Sequence, residues 1–337
     1  MATSREMTAG RALPLIFNFT MPLLMGNLLQ QTYSLVDAAI VGKFLGINAL
    51  ASVGASTSVI FLILGFCNGC CGGFGIPVAQ KFGARDYSTM RRYVSVSLQL
   101  AAVMSVVIAI ITSILCGDIL QIMRTPDIIF QDAYYYLLIT FIGVPCTFFY
   151  NLLSSIIRAL GDSKTPFWFL LFAAVLNIIL DYLFIFPFGW GMFGAAIASA
   201  IGTTVGALMI IIYLSRRKCA LRFYPVKLTR KSMQLTHRNI GYMCRLGSSA
   251  FLCEVAIACM MFVGNIVFIH YLQEEGVAAF SIACYFFPII FMVYNAIAQS
   301  AQPIISYNHG LHETARVRRA YLLALKTAVG CGAIFAF

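Results

Sequence analysis

Long apolar runs separated by short polar connections dominate the chain. A helix that spans a membrane needs about 20 mainly apolar residues. Nine stretches qualify: 14–42, 47–76, 93–116, 133–157, 166–187, 190–214, 246–271, 277–305 and 318–337. The first two are long and are interrupted by Pro22 and by the glycines at 69–75. Bent helices are tolerated in lipid where neighbours or water satisfy the freed backbone groups. The expected fold class is an all-α polytopic membrane protein.

Composition agrees. Of 337 residues, 61% are hydrophobic and 10% charged, against roughly 25% charged in soluble domains. The mean hydropathy is +0.87. A soluble enzyme, a disordered chain and a coiled coil are excluded. The net charge of +11 matters less than where the charges lie. With the N-terminus in the cytoplasm, 20 of the 23 Lys and Arg fall on the inner side, nine of them in 216–245. Lys43 and Arg124 fall outside, and Lys326 lies in the last span. That bias supports both the orientation and the number of spans. It makes 216–245 a basic cytoplasmic linker lying on anionic lipid rather than a nucleic-acid arm. Cys67, Cys70 and Cys71, in GFCNGCCGGFG, have no His nearby and read as small residues at a helix–helix contact.

The chain also repeats itself. Shifted by 227 residues, Leu45–Leu98 matches Leu272–Leu325. Ala51 meets Ala278, Asn68 meets Asn295, Gly83 meets Gly310, and Arg91-Arg92 meet Arg318-Arg319. Each copy reads as an apolar helix, a Gly-containing turn, an acid and an Arg pair. Six spans separate the copies, and an even number makes the two halves parallel. The expectation is two helical lobes, one of six spans and about three spans of a second six. Residues 1–215 form the first lobe, 216–245 the linker and 246–337 the incomplete second lobe. Doubling the offset predicts a complete chain of roughly 450 residues, with this sequence truncated at its C-terminal end.

Three acids lie inside spans: Asp37, Asp181 and Glu254. A charge at bilayer depth costs at least about 2.5 kcal/mol on insertion scales and marks an ion or substrate pathway. Stripped of hydration, a carboxylate gains by taking a proton or a small cation. Asn177 lies one helical turn before Asp181, on the same face. Its amide can hydrogen-bond that carboxyl or join it around Na⁺, a hard cation that prefers oxygen ligands. Other signals fail their context. GxGxxG at 189–194 lies between two spans, and there is no Walker A, HExxH or GxSxG motif. His237, His270, His309 and His312 lie near loops or helix ends and read as solvated or interfacial.

Several segments resemble the multidrug and toxic compound extrusion (MATE) transporters. They are the early helix with Pro22 and VDAAIVGKFLG, RALGDSKTP at 158–166, NIILDYLFIF followed by GMFGAAIAS at 191–199, Glu254 in the seventh span, and QSAQPIISYNHG at 299–310. The resemblance implies a non-enzymatic antiporter in the cell membrane, a bacterial inner membrane by expectation. It would export cationic or amphipathic small molecules against Na⁺ or H⁺, as a monomer and without a cofactor. It also implies a cation site at Asp37, Asn177 and Asp181. Ser154 and Ser199 would supply polar groups from helices four and six, with Asn151 as an alternative to them. Glu254 resembles a C-lobe carboxylate whose partner helix lies beyond this sequence. The alternative is a lipid-linked glycan flippase of the same broader superfamily, which would be expected to line its cavity with cationic residues; the first lobe shows acids and almost no intramembrane bases, which disfavours it. An integral-membrane enzyme would gather polar catalytic residues at one interface, and none are found.

Overall fold

The computed structural model describes residues 12–123, 125–215, 238–249, 252, 253, 256, 260, 267 and 290–336. The elements are α1 (Ala12–Leu45), α2 (Ile47–Gly83), α3 (Tyr87–Ile114), a short α4 (Cys116–Ile122), α5 (Asp127–Ala159), α6 (Lys164–Ile185), α7 (Gly191–Ser215) and α8 (Thr314–Ala336). Residues 238–249 and 290–310 are helical too, and no strand occurs among the described residues. Pro22, Pro77 and Pro145 sit inside α1, α2 and α5 without ending them. In apolar surroundings the backbone has no water to turn to, so the helix persists around the missing N–H.

Local chemistry ends the helices. Gly46, at φ 92°, turns the chain between α1 and α2. Asp86 caps α3, its Oδ1 accepting from the Thr89 N–H at 3.1 Å. Asp162 does the same for α6, accepting from the Lys164 and Thr165 N–H groups at 3.1 Å each, just after Gly161 (φ 93°) closes α5. The Tyr213 hydroxyl donates to the other Asp162 oxygen at 3.4 Å and ties this turn to α7. The RALGD segment is thus a helix stop followed by a helix cap.

Helix α5 is the centre of a six-helix bundle, packed against α2, α3 and α7, with α6 lying on α7 and α1. Leu137, Phe141, Phe148, Leu152 and Ile156 run down its buried face. Phe61, Leu62, Val103, Ile110, Phe172 and Ile212 are half or more exposed on the outside. A bundle as apolar outside as inside belongs in hydrocarbon. By length and composition α2, α3, α5, α6 and α7 can each cross a membrane. Helix α1, with 34 residues, is long enough and carries the polar run 30–34.

The first six expected spans correspond to α1, α2, α3, α5, α6 and α7, and the last to α8. Most of 246–271, and 277–289 of the eighth, lie outside the described residues. Several boundaries differ: α2 runs on to Gly83 rather than 76 and α5 starts at Asp127 rather than 133. Helix α3 starts at Tyr87 rather than 93, because Asp86 caps it there. Cys116–Ile122 forms a separate short helix with Asp118 in its first turn, where a carboxylate favours the helix dipole. Residues 238–245, read as linker, are helical: Tyr242 and Gly247 pack that helix onto α2.

The repeat recurs in atomic detail. After α2, the N–H groups of Ala84, Arg85 and Asp86 bond the carbonyls of Gln80, Phe82 and Lys81. After the 290–310 helix, those of Leu311, His312 and Glu313 bond Tyr307, His309 and Asn308, the same pattern 227 residues on. Arg85 and His312 share a left-handed backbone, at φ 56° and 61°. The two copies also touch reciprocally. A Cβ on Gly83 would collide with the Tyr307 carbonyl, and one on Gly310 with the Gln80 carbonyl. Thr20 and Ser300 share a hydroxyl hydrogen bond of 2.7 Å, and their equivalents Gly247 and Gly73 meet backbone to backbone. Such exchange of roles is what a two-fold relation between parallel halves requires. The Cys-Gly segment therefore packs helices, as its small residues suggested; Cys67, Cys70 and Cys71 are free thiols.

Candidate functional site

Two carboxylates are carried into the bundle by α1 and α6. Asp37 is 7% exposed and Asp181 0%. Both directly follow apolar residues, LV before Asp37 and IIL before Asp181. No ion pair to either is formed among the described residues. Helices α1 and α6 pack together, and the two charges lie close enough to act on each other.

Asn177 and Ser199 fix one side of the site. The Asn177 side chain is 3% exposed. Its amide is satisfied at both ends in one orientation: Nδ2 donates to Asp181 Oδ2 at 3.3 Å, and Oδ1 accepts from the Ser199 N–H and hydroxyl at 3.2 Å each. The amide thus bridges α6 to α7 and fills one oxygen of Asp181. The other, Oδ1, has no hydrogen-bond partner among the described residues, and neither has Asp37 Oδ1. Buried oxygens are seldom left unpaired. Two such oxygens, on acids of separate helices, are hard donors suited to a proton or an alkali cation rather than a soft metal.

Tyr136 on α5 was not picked out by the sequence reading. It is 9% exposed and within electrostatic reach of Asp37, Asp181 and Tyr33. It stands in a run of three tyrosines, of which Tyr135 is 44% exposed. Only packing selects the one that turns inward.

The other candidates fall differently. Ser199 joins the site through Asn177. Ser154 is 2% exposed and its hydroxyl lacks a partner among the described residues. It lies eighteen residues beyond Tyr136 on α5, about 27 Å along the helix, and forms no hydrogen bond with either acid. Asn151, half-buried, lies on the same distant stretch. Glu254 lies outside the described residues.

Comparison with known proteins adds to this geometry. The family model described as MatE matches residues 22–183 and 250–337. The probable multidrug resistance protein YoeA of Bacillus subtilis (strain 168) is 31% identical over 292 residues, 84% of this chain and 62% of that protein. The multidrug export protein MepA of Staphylococcus haemolyticus (strain JCSC1435) is 24% identical over 307 residues, 89% of this chain and 65% of that one. The chain therefore spans less than two thirds of the length of both relatives. A crystal structure of MATE in the bent conformation superposes with a TM-score of 0.90 at 25% identity, covering 100% of this chain and 74% of that one.

Proposed function

The chain belongs to the MatE family of membrane transporters, and on that premise we propose that it works as a secondary multidrug exporter. Cationic or amphipathic small molecules leave the cell in exchange for Na⁺ or H⁺ entering. Residues 1–215 act as one lobe and 246–337 as part of a second, joined by the basic linker. The protein works as a monomer in a bacterial inner membrane, with its N-terminus in the cytoplasm. The names of the similar Bacillus and Staphylococcus proteins support export of drugs.

The observation that carries the coupling is the pair Asp37 and Asp181, each with one buried oxygen unpartnered. Cation occupancy neutralises one charge of an acid pair that desolvation otherwise penalises. The N-lobe then favours a different packing, and the two lobes rock against each other. Asn177 holds one Asp181 oxygen and leaves the other to the ion. One charge crossing 100 mV supplies about 2.3 kcal/mol, enough for about a fiftyfold gradient of a neutral compound. Ser199 is a positioning residue that acts through Asn177; Ser154 has no part in the pair.

The test is efflux from sealed vesicles bearing Asp37→Asn, Asp181→Asn or Ser154→Ala. Loss of gradient-driven export in both acid variants, with Ser154→Ala unchanged, is the expected result. Export that survives both acid substitutions overturns the assignment. Imposing a sodium gradient and a pH gradient separately identifies the coupling ion.

A further inference from the structure

Where the ends of α2, the 238–249 helix and the 290–310 helix converge, a cavity of about 380 Å³ opens. That volume falls in the usual range for small-ligand sites. Lys81, Arg238, His309 and His312 line it, and among the described residues no Asp or Glu does. The wall is braced by a 2.9 Å hydrogen bond from the Tyr242 hydroxyl to Gln80 Oε1. The nearest acid in the turn, Asp86, lies 4.0 Å from the Lys81 ammonium, with both side chains about 40% exposed. An ion pair that wet is weak and leaves the lysine able to turn into the cavity.

Two features separate this cavity from a merely basic surface. The C-terminal carbonyls of α2 and of the 290–310 helix would repel an anion, yet Gln80, Lys81, Tyr307 and Asn308 each have theirs bonded by the following turn. The two-fold equivalent place is built differently in part. Leu15, Phe82 and Ala320 stand where Tyr242, His309 and Tyr93 line the cavity, and Asn308 stands for Lys81, while in the sequence Arg11 and Arg85 correspond to Arg238 and His312. Helix packing in the repeat therefore does not demand Lys81 or His309.

We propose that this cavity binds a phosphate group, carried by an anionic phospholipid headgroup or by a phosphorylated solute. Basic pockets between membrane helices on the cytoplasmic side take such groups. Lys81 comes from the first half of the repeat and Arg238, His309 and His312 from the second. A bound phosphate bridges the halves beside the Gly83–Tyr307 and Gly310–Gln80 contacts and holds that end packed. This inference stands on the cavity and does not rest on the carboxylate pair.

The experiment uses the full chain purified in a neutral detergent. Three probes are added separately: short-chain phosphatidylglycerol, phosphatidylcholine of the same chain length, and inorganic phosphate against chloride at equal ionic strength. The readouts are the thermal unfolding midpoint and amide exchange at 84–86 and 311–313. Phosphatidylglycerol or phosphate raises the midpoint by at least about 2 °C and slows exchange in both turns, whereas phosphatidylcholine does neither. An effect of the lipid alone names the headgroup as ligand; an effect of inorganic phosphate names the solute. Lys81→Gln with Arg238→Gln abolishes the effect, while Lys81→Arg and Lys326→Gln, a basic residue on α8, keep it. No shift with either phosphate probe, or the same shift in the double variant, overturns the proposal.

Discussion

Gly83→Ala places a methyl group where α2 meets the 290–310 helix. All three atoms nearest the new Cβ are backbone atoms of Tyr307. No side-chain rotation relieves the clash, so the helices must part by on the order of 1 Å to reach van der Waals separation. Overpacking of this kind costs typically about 1–3 kcal/mol. The loss falls on contacts that cross the interface. They include the Phe82 and Tyr307 rings, with centroids 5.5 Å apart, and the Gln302 amide bond to the Gly72 carbonyl at 2.9 Å. Alanine also favours a helix over glycine by up to about 1 kcal/mol, but that gain is the same whether the two halves touch or not. It changes overall stability and leaves the packing equilibrium alone. The equilibrium between packed and parted ends therefore shifts by about 5- to 150-fold toward parting. Gly310→Ala strikes the Gln80 carbonyl and the Ala84 nitrogen in the reciprocal contact, so its shift is of the same size. Hydrogen exchange followed by mass spectrometry reads the result. Both turns, 84–86 and 311–313, lose protection in either variant. Gly54→Ala, on the same helix with nothing near the added Cβ, leaves both turns unchanged. Unaltered protection in Gly83→Ala and Gly310→Ala would refute the reasoning.

Hydrogen bonds from Thr89, together with neighbouring Lys81, hold the Asp86 carboxyl below the usual carboxylate range. A depressed native value means the cap stabilises at pH above the unfolded value near about 3.9 and is lost as pH falls through the native one. Asp86→Ala costs about 0.5–2 kcal/mol at neutral pH; the difference from the parent chain in thermal unfolding shrinks below pH 4, and an unchanged difference there contradicts the capping role. Asp162→Ala removes the acceptor for two α6 N–H groups and for Tyr213, costing about 1–3 kcal/mol, while Asp162→Asn, which keeps a cap oxygen, costs less. Equal losses in denaturant unfolding would mean that charge rather than capping matters there. Ser199→Ala takes away one of the two donors to Asn177 Oδ1. Its effect is a weaker dependence of transport on the coupling ion with the maximal rate kept, and a fall in the maximal rate alone would argue against a positioning role.

Hydropathy and charge determined much by themselves. A backbone in hydrocarbon must satisfy its own hydrogen bonds, so the long apolar runs among the described residues form helices, and the positions of Lys and Arg give the orientation expected of them. The spacing between Gly83 and Gly310 showed the repeat, because both copies need the same turn and the same close approach. Asp37 and Asp181 stood out because an acid inside an apolar run is costly, and Asn177 because it lies one turn before Asp181. Other features waited on packing. Tyr136 and Tyr135 are neighbours of one kind, and only the rotation of α5 against α1 and α6 turns the first inward. Ser154 and Ser199 are both small hydroxyls in apolar helices; their distance from the acids depends on how far along each helix they lie once the helices are assembled. The basic cavity could not be read from sequence either, since Lys81, Arg238 and His312 are far apart along the chain. They meet because glycines at 83 and 310 let two helix ends touch. Burial and helix formation are local responses to the solvent, legible residue by residue, whereas juxtaposition is a property of the assembled bundle.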